Sequence, residues 1–173
     1  MREPLSVERL ERFMQLLGEA AAVPAVVYLV GGATALLLGW RTSTIDIDLK
    51  MIPEDDSLYR AISRLKEELS INVELASPGD FVPPLPGWEE RSVFIRKEGS
   101  VTFRHYDFYG QALSKIERGH ARDLQDVREL RSRNLVDPPR LLTMFDLIEP
   151  DLIRYPAVDR RDLRRRLEAW VSG

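Results

Sequence analysis

The sequence predicts an α/β (α+β) domain: a mixed β-sheet with helices packed mainly on one face, followed by a C-terminal helical appendage. Three observations predict it. Short Val- and Ile-rich runs of strand length alternate with stretches whose apolar residues recur at helical spacing. The first run ends in Gly31-Gly32. A second run alternates and presents Asp46 and Asp48 from one face, because residues i and i+2 of a strand project together.

In chain order, Ser6 has the chemistry of an N-cap and Glu8 opposes the helix dipole. Leu10, Phe13, Leu17 and Ala20/Ala21 repeat helically, so 7–21 is expected to be an amphipathic helix ended by Pro24. Residues 25–30 are continuously apolar, as in a central buried strand. Gly31-Gly32 makes a turn, and 33–38 reads as a helix ending near Gly39. The polar stretch 41–44 leads into a strand over 45–51, with Ile45, Ile47 and Leu49 expected to be buried; Pro53 stops it. Asp55, Asp56 or Ser57 caps a helix through about Leu69, whose apolar face carries Leu58, Ile62, Leu65 and Leu69.

Residues 71–75 alternate as a strand, Ile71, Val73 and Leu75 on one face and Glu74 on the other. The Pro- and Gly-rich stretch 77–90 reads as a loop packed onto the body by Phe81, Leu85 and Trp88. Residues 92–97 and 101–109 form an antiparallel hairpin, 111–117 begins a helix, Gly119 interrupts it, and 121–131 continues as another. Leu141, Leu142, Phe145 and Ile148 give a further helix; Asp159 caps a last one carrying Leu163, Leu167, Trp170 and Val171. The expected organisation is one domain over 1–136 and a helical appendage, 137–173, packed on it.

Composition narrows the chemistry. The chain has no cysteine, which excludes disulfides, thiolate zinc sites and cysteine nucleophiles; its two histidines argue against a His-rich metal centre. No run approaches the roughly 18–20 apolar residues of a membrane span, and Met1-Arg2-Glu3-Pro4 lacks the layout of a signal peptide, so a cytoplasmic protein is expected. A net charge of −3 gives no global pull towards nucleic acid.

The chemistry sits around the aspartates. Two parallel carboxylates repel each other unless a cation or proton lies between them, and oxygen ligands suit Mg²⁺ or Mn²⁺. Beside them, the Gly31-Gly32 turn gives backbone N–H groups an approach to phosphate oxygens without an intervening Cβ. Gly31-Gly32 followed by Arg41-x-x-Thr44-x-Asp46-Ile47-Asp48 resembles the signature of the nucleotidyltransferase (DNA polymerase β-like) superfamily. Lys115 with Arg118-Gly119-x-x-Arg122-Asp123-x-x-Asp126 resembles its AbiEii-like branch and related uncharacterised bacterial proteins, a branch that includes toxins of toxin–antitoxin and phage-defence systems. The resemblance runs from about residue 25 to 130.

What it implies is a nucleotidyltransferase fold in which Asp46 and Asp48 bind the catalytic Mg²⁺ or Mn²⁺ and, through it, a nucleoside triphosphate. Gly31 and Gly32 would cradle the phosphates, and Arg41 and Lys115 would neutralise their charge. Many superfamily members carry Gly-Ser at the first motif; here the second glycine leaves Thr34 as the nearest hydroxyl. A third carboxylate would complete the metal site and assist the attacking hydroxyl. Glu74 is the first candidate, Asp107 the second and Asp80 the third.

The implied activity is transfer of a nucleoside monophosphate to a hydroxyl on a protein, a tRNA or a small molecule, with a cognate toxin or antitoxin as partner. The alternative is a catalytically weak or inactive nucleotide-binding or protein-interaction member of the same fold. Two clusters have blander readings. Lys115, Arg118 and Arg122, on one helical face if Gly119 does not break the helix, also fit a salt-bridged surface network with Asp123 and Asp126. Arg160, Arg161, Arg164, Arg165 and Arg166 fit either a polyanion contact or a solvated face paired with Asp159, Asp162 and Glu168.

Overall fold

The computed structural model describes residues 3–173; Met1 and Arg2, which open the segment read above for a leader, lie outside the described residues. In chain order the elements are α1 (Val7–Ala20), β1 (Ala25–Val30), α2 (Gly32–Leu38), β2 (Asp46–Ile52), α3 (Asp56–Glu68), β3 (Asn72–Glu74), α4 (Trp88–Arg91), β4 (Val93–Glu98), β5 (Val101–His105), α5 (Phe108–Arg118), α6 (Ala121–Ser132), α7 (Pro138–Ile148) and α8 (Arg160–Ser172). The chain packs as two units. One holds the residues up to Ala76 together with Ser92–Tyr106; the other holds Ser77–Arg91 and Asp107–Gly173.

The first unit contains the five-stranded mixed sheet, in the order β3-β2-β1-β5-β4. β1 runs antiparallel to β2 and parallel to β5. β2 and β3 are parallel, and β4 and β5 form the expected antiparallel hairpin. The register sets Leu29 opposite Leu49 and Val30 opposite Asp48, so the period-2 alternation of β2 directs its aliphatic residues to one face and its acids to the other. On the aliphatic face Val27, Leu29, Ile47, Leu49 and Phe103 join one core with Leu10, Phe13 and Leu17 of α1, Leu36 of α2 and Leu58 and Leu65 of α3. Burial of these side chains is what holds the helices to the sheet.

Two expected core residues lie elsewhere. Ile45 is 61% exposed, because β2 begins one residue later and the buried row is Ile47, Leu49 and Met51. Leu75 is 47% exposed: β3 pairs only from Asn72 to Glu74, and its alternation outlasts its hydrogen bonds.

In the second unit the stretch 77–90 is packed, as expected, but through Val82 and Leu85, with Phe81 39% exposed and Trp88 half-buried. It is also less irregular than a loop, with a 3₁₀ turn at Pro78–Asp80 before α4. α5 starts at Phe108, where the sequence predicts strand, because the Asp107 carboxylate accepts hydrogen bonds from the N–H groups of Tyr109 (3.2 Å) and Gly110 (3.3 Å). Gly119 ends α5 in the left-handed conformation (φ 71°). α5 packs against α6 and α8, and α7 against α8. Among the described residues no helix is long and apolar enough to cross a membrane.

Candidate functional site

Asp46 and Asp48 are half-buried on the face of β2 that points away from the aliphatic core. Parallel pairing with β3 sets Asp46 beside Asn72 and Asp48 beside Glu74. Asn72 and Glu74 are i and i+2, so all four polar side chains share that face. The amide Nδ2 of Asn72 donates to Asp46 Oδ1 (2.7 Å) and to Glu74 Oε1 (3.2 Å), tying the two carboxylates to one donor. Asn72 is the site residue that the sequence reading misses. The same alternation that singles out Glu74 also places Asn72 beside it, but an amide carries no charge to attract attention.

The glycine turn closes on the same strand. Gly31 has φ 60° and ψ −122°, a backbone conformation that a Cβ disfavours. A Cβ built on Gly31 would lie 3.5 Å from Asp48 Oδ2, so the turn and the second aspartate are neighbours. At Gly32 the constraint is tighter. A Cβ there would fall 2.0 Å from the hydroxyl oxygen of Thr44 and 3.5 Å from Arg41 Nη1. Thr44 is itself fixed, exchanging backbone hydrogen bonds with Leu5 and donating its hydroxyl to the Asp46 carbonyl oxygen (3.3 Å). The structure therefore gathers Gly31, Gly32, Arg41, Thr44, Asp46, Asp48 and Glu74 within the first unit.

Thr34 faces elsewhere. Its hydroxyl is buried, 3.3 Å from the Leu29 carbonyl oxygen and 2.9 Å from Nδ1 of His105. Burial pushes the His105 imidazole down to a pKa of about 4, so it is neutral at pH 7. The structure shows His105 as a hydrogen-bonded core residue.

The other candidates belong to the second unit. Asp107 is no strand-end acid. It caps α5 and accepts a two-pronged contact from Arg91, Nε to Oδ1 at 3.1 Å and Nη2 to Oδ2 at 2.7 Å. With the two backbone N–H donors, these fill the roughly four acceptor positions of a carboxylate. Asp80 is similarly engaged, accepting from the Ser77 N–H at 2.9 Å across its own turn. Lys115 is buried on α5 with its ammonium 2.8 Å from Asp126 Oδ2 and 3.6 Å from Asp123 Oδ1, while Arg118 reaches Asp123 Oδ1 at 2.7 Å. The salt-bridged network is present, and it is buried at Lys115, Asp123 and Asp126. Because Gly119 breaks the helix, Lys115 and Arg122 sit on different helices.

The arginines of α8 are largely paired. Arg160 and Arg164 hold Glu149, Arg164 also holds Asp146 and Glu168, and Arg165 and Arg166 share Asp162. Asp159 caps the helix, accepting from the Asp162 N–H at 3.0 Å.

Among the described residues no three His, Asp or Glu side chains group as a metal cage of their own. Two neighbouring carboxylates beside a glycine turn still fit Mg²⁺, which is ordinarily held by one or two carboxylates together with substrate phosphates and waters. A family model described as "Nucleotidyltransferase of unknown function (DUF6036)" matches residues 6–171. No curated protein and no solved structure matches the chain.

Proposed function

The chain belongs to this family of nucleotidyltransferases of unknown function, and from that premise we propose that it transfers a nucleoside monophosphate from a nucleoside triphosphate to a hydroxyl acceptor. The observation that carries the reading is the convergence of Asp48 with Gly31, and of Arg41 and Thr44 with Gly32, beside Asp46. Asp46 and Asp48 would hold Mg²⁺ or Mn²⁺ jointly with the triphosphate oxygens. When bound, the ion supplies charge neutralisation at the reacting phosphate and the leaving pyrophosphate. Arg41 adds positive charge at the turn where the phosphates would lie, and the backbone of Gly31-Gly32 would contact them. Glu74 accepts the proton of the acceptor hydroxyl as its oxygen bonds to the α-phosphorus and the bond to the β-phosphate breaks. Asn72 orients Asp46 and Glu74 from the side.

The acceptor is a protein side chain, a tRNA end or a small molecule, and the likeness to the AbiEii-like branch extends the proposal to one half of a toxin–antitoxin pair. The decisive experiment supplies each α-labelled nucleoside triphosphate with Mg²⁺ or Mn²⁺ to the full chain, with and without cell RNA and protein. Label transfer is expected, falling about a hundredfold in Asp46→Asn and Asp48→Asn. Absence of both transfer and thermal stabilisation by every metal–nucleotide pair would overturn the reading. A second reading, nucleotide binding with weak or no turnover, draws on the Asn72 amide, which already engages both Asp46 and Glu74. Metal-dependent stabilisation by a nucleotide without transfer to any acceptor would select it.

A further inference from the structure

The second unit carries a groove of about 310 Å³ that none of the candidate site residues lines. Its floor is apolar, made by Ile116 at the end of α5, Leu124 on α6, and Ala169 and Trp170 on α8; Arg165 and Arg166 stand at its rim. Arg166 is a fixture of the groove. Its Nη1 donates to the Glu117 carbonyl at 2.9 Å, which places a cation at the C-terminus of α5, and its Nε lies 2.8 Å from Asp162. Arg165 projects outward, with 74% of its side chain exposed.

The surroundings extend the positive charge. The guanidinium of Arg131 lies 5.3 Å from the centre of the Trp170 ring. Arg128 is exposed on α6 at the i+4 position from Leu124, on the stripe that leads to Arg131. Arg161 is exposed one turn before Arg165 on α8. Two acids border this rim, Asp162, shared by Arg165 and Arg166, and Glu117, whose carboxyl interacts with the Arg166 charge. Leu124 is 38% exposed, so the apolar floor opens to solvent.

We propose that this groove docks an acidic amphipathic peptide segment of a partner protein. Apolar anchors of the segment seat against Ile116, Leu124 and Trp170, and its carboxylates face Arg128, Arg161 and Arg165. An apolar floor with a charged rim is the pattern by which amphipathic segments are held in grooves, the anchors giving affinity and the rim selecting charge. A nucleic acid fits less well. Its phosphates would leave the aliphatic floor uncovered, and Arg131 already lies over the ring on which a base would stack.

The test selects a displayed library of random 16-residue peptides on the full-length protein. Counter-selection uses the chain carrying Leu124→Glu and Arg165→Glu, both on exposed side chains, with its melting curve checked against the parent. Enriched peptides are expected to pair apolar residues at helical spacing with a net negative charge. Synthetic copies should bind the double variant, and separately an Arg161→Glu chain, about tenfold more weakly than the parent. A single-stranded 20-nucleotide RNA is titrated in parallel. Enrichment of neutral or basic peptides, no enrichment, or peptide binding unchanged in the variants would overturn the proposal. So would RNA binding that disappears in the same variants while no peptide competes for it.

Discussion

Gly32 is occupied from outside: the space a side chain would fill holds the hydroxyl of Thr44, at 2.0 Å from where a Cβ would stand. Gly32→Ala must therefore displace Thr44 and, with it, the approach to Asp46. We expect a loss of about 1–3 kcal/mol in a denaturant titration, the usual result of overpacking a filled site. Thr44→Ala in the same chain deletes the nearest atom and should restore part of the loss. An unchanged midpoint for Gly32→Ala would show that the turn yields freely. At this scale the sequence was legible where chemistry is announced by charge or by glycine, as at Asp46, Asp48, Gly31 and Gly32. It was not legible where it depends on a contact between chain segments. The Gly32–Thr44 approach is invisible to local pattern, and Asn72 becomes significant only when β3 aligns with β2.

α5 shows how an element is misread at one end and correctly ended at the other. Strand-favouring aromatic residues continue past His105 at Tyr106, Phe108 and Tyr109, so the sequence predicts strand through Tyr109; the Asp107 carboxylate instead satisfies the first free N–H groups of a helix, and capping wins. Gly119, by contrast, announces its left-handed turn locally. Within this helix Lys115 is buried against Asp126, so Lys115→Met strips a buried carboxylate of its ammonium partner. The expected loss is about 3–5 kcal/mol by thermal or chemical unfolding, and pairing it with Asp126→Leu should recover most of it. The double variant also separates two roles. If it regains stability yet fails to bind metal–nucleotide, Lys115 serves the triphosphate as well as the fold; if it binds like the parent, its work is structural.

For the whole molecule, pH gives the readout. His105 has a pKa of about 4 when folded, against 6.5 when unfolded, so between these values the unfolded chain holds the extra proton. Its contribution is present above pH 6.5, is lost as pH falls towards 4, and changes no further below that. It amounts to about 3 kcal/mol. Urea midpoints measured from pH 7 to 4 should fall for the parent and flatten over that window in His105→Gln; parallel curves would show that another group carries the loss. The fold class and most elements were legible because periodicity is a property of neighbouring residues. The membership of the two units was not, since Ser92–Tyr106 returns to the earlier residues after the 77–91 detour. That return has a consequence for how the protein is made. β5 pairs directly with β1, in the interior of the strand order, yet it leaves the ribosome last of the five. Until it arrives, β1 has one edge of unpaired backbone groups, the kind of edge on which strands of separate chains join. The sheet is completed at an interior position, between β1 and β4, so a nascent chain arrested before residue 105 is expected to expose that β1 edge and to aggregate more than the full chain in a sedimentation assay.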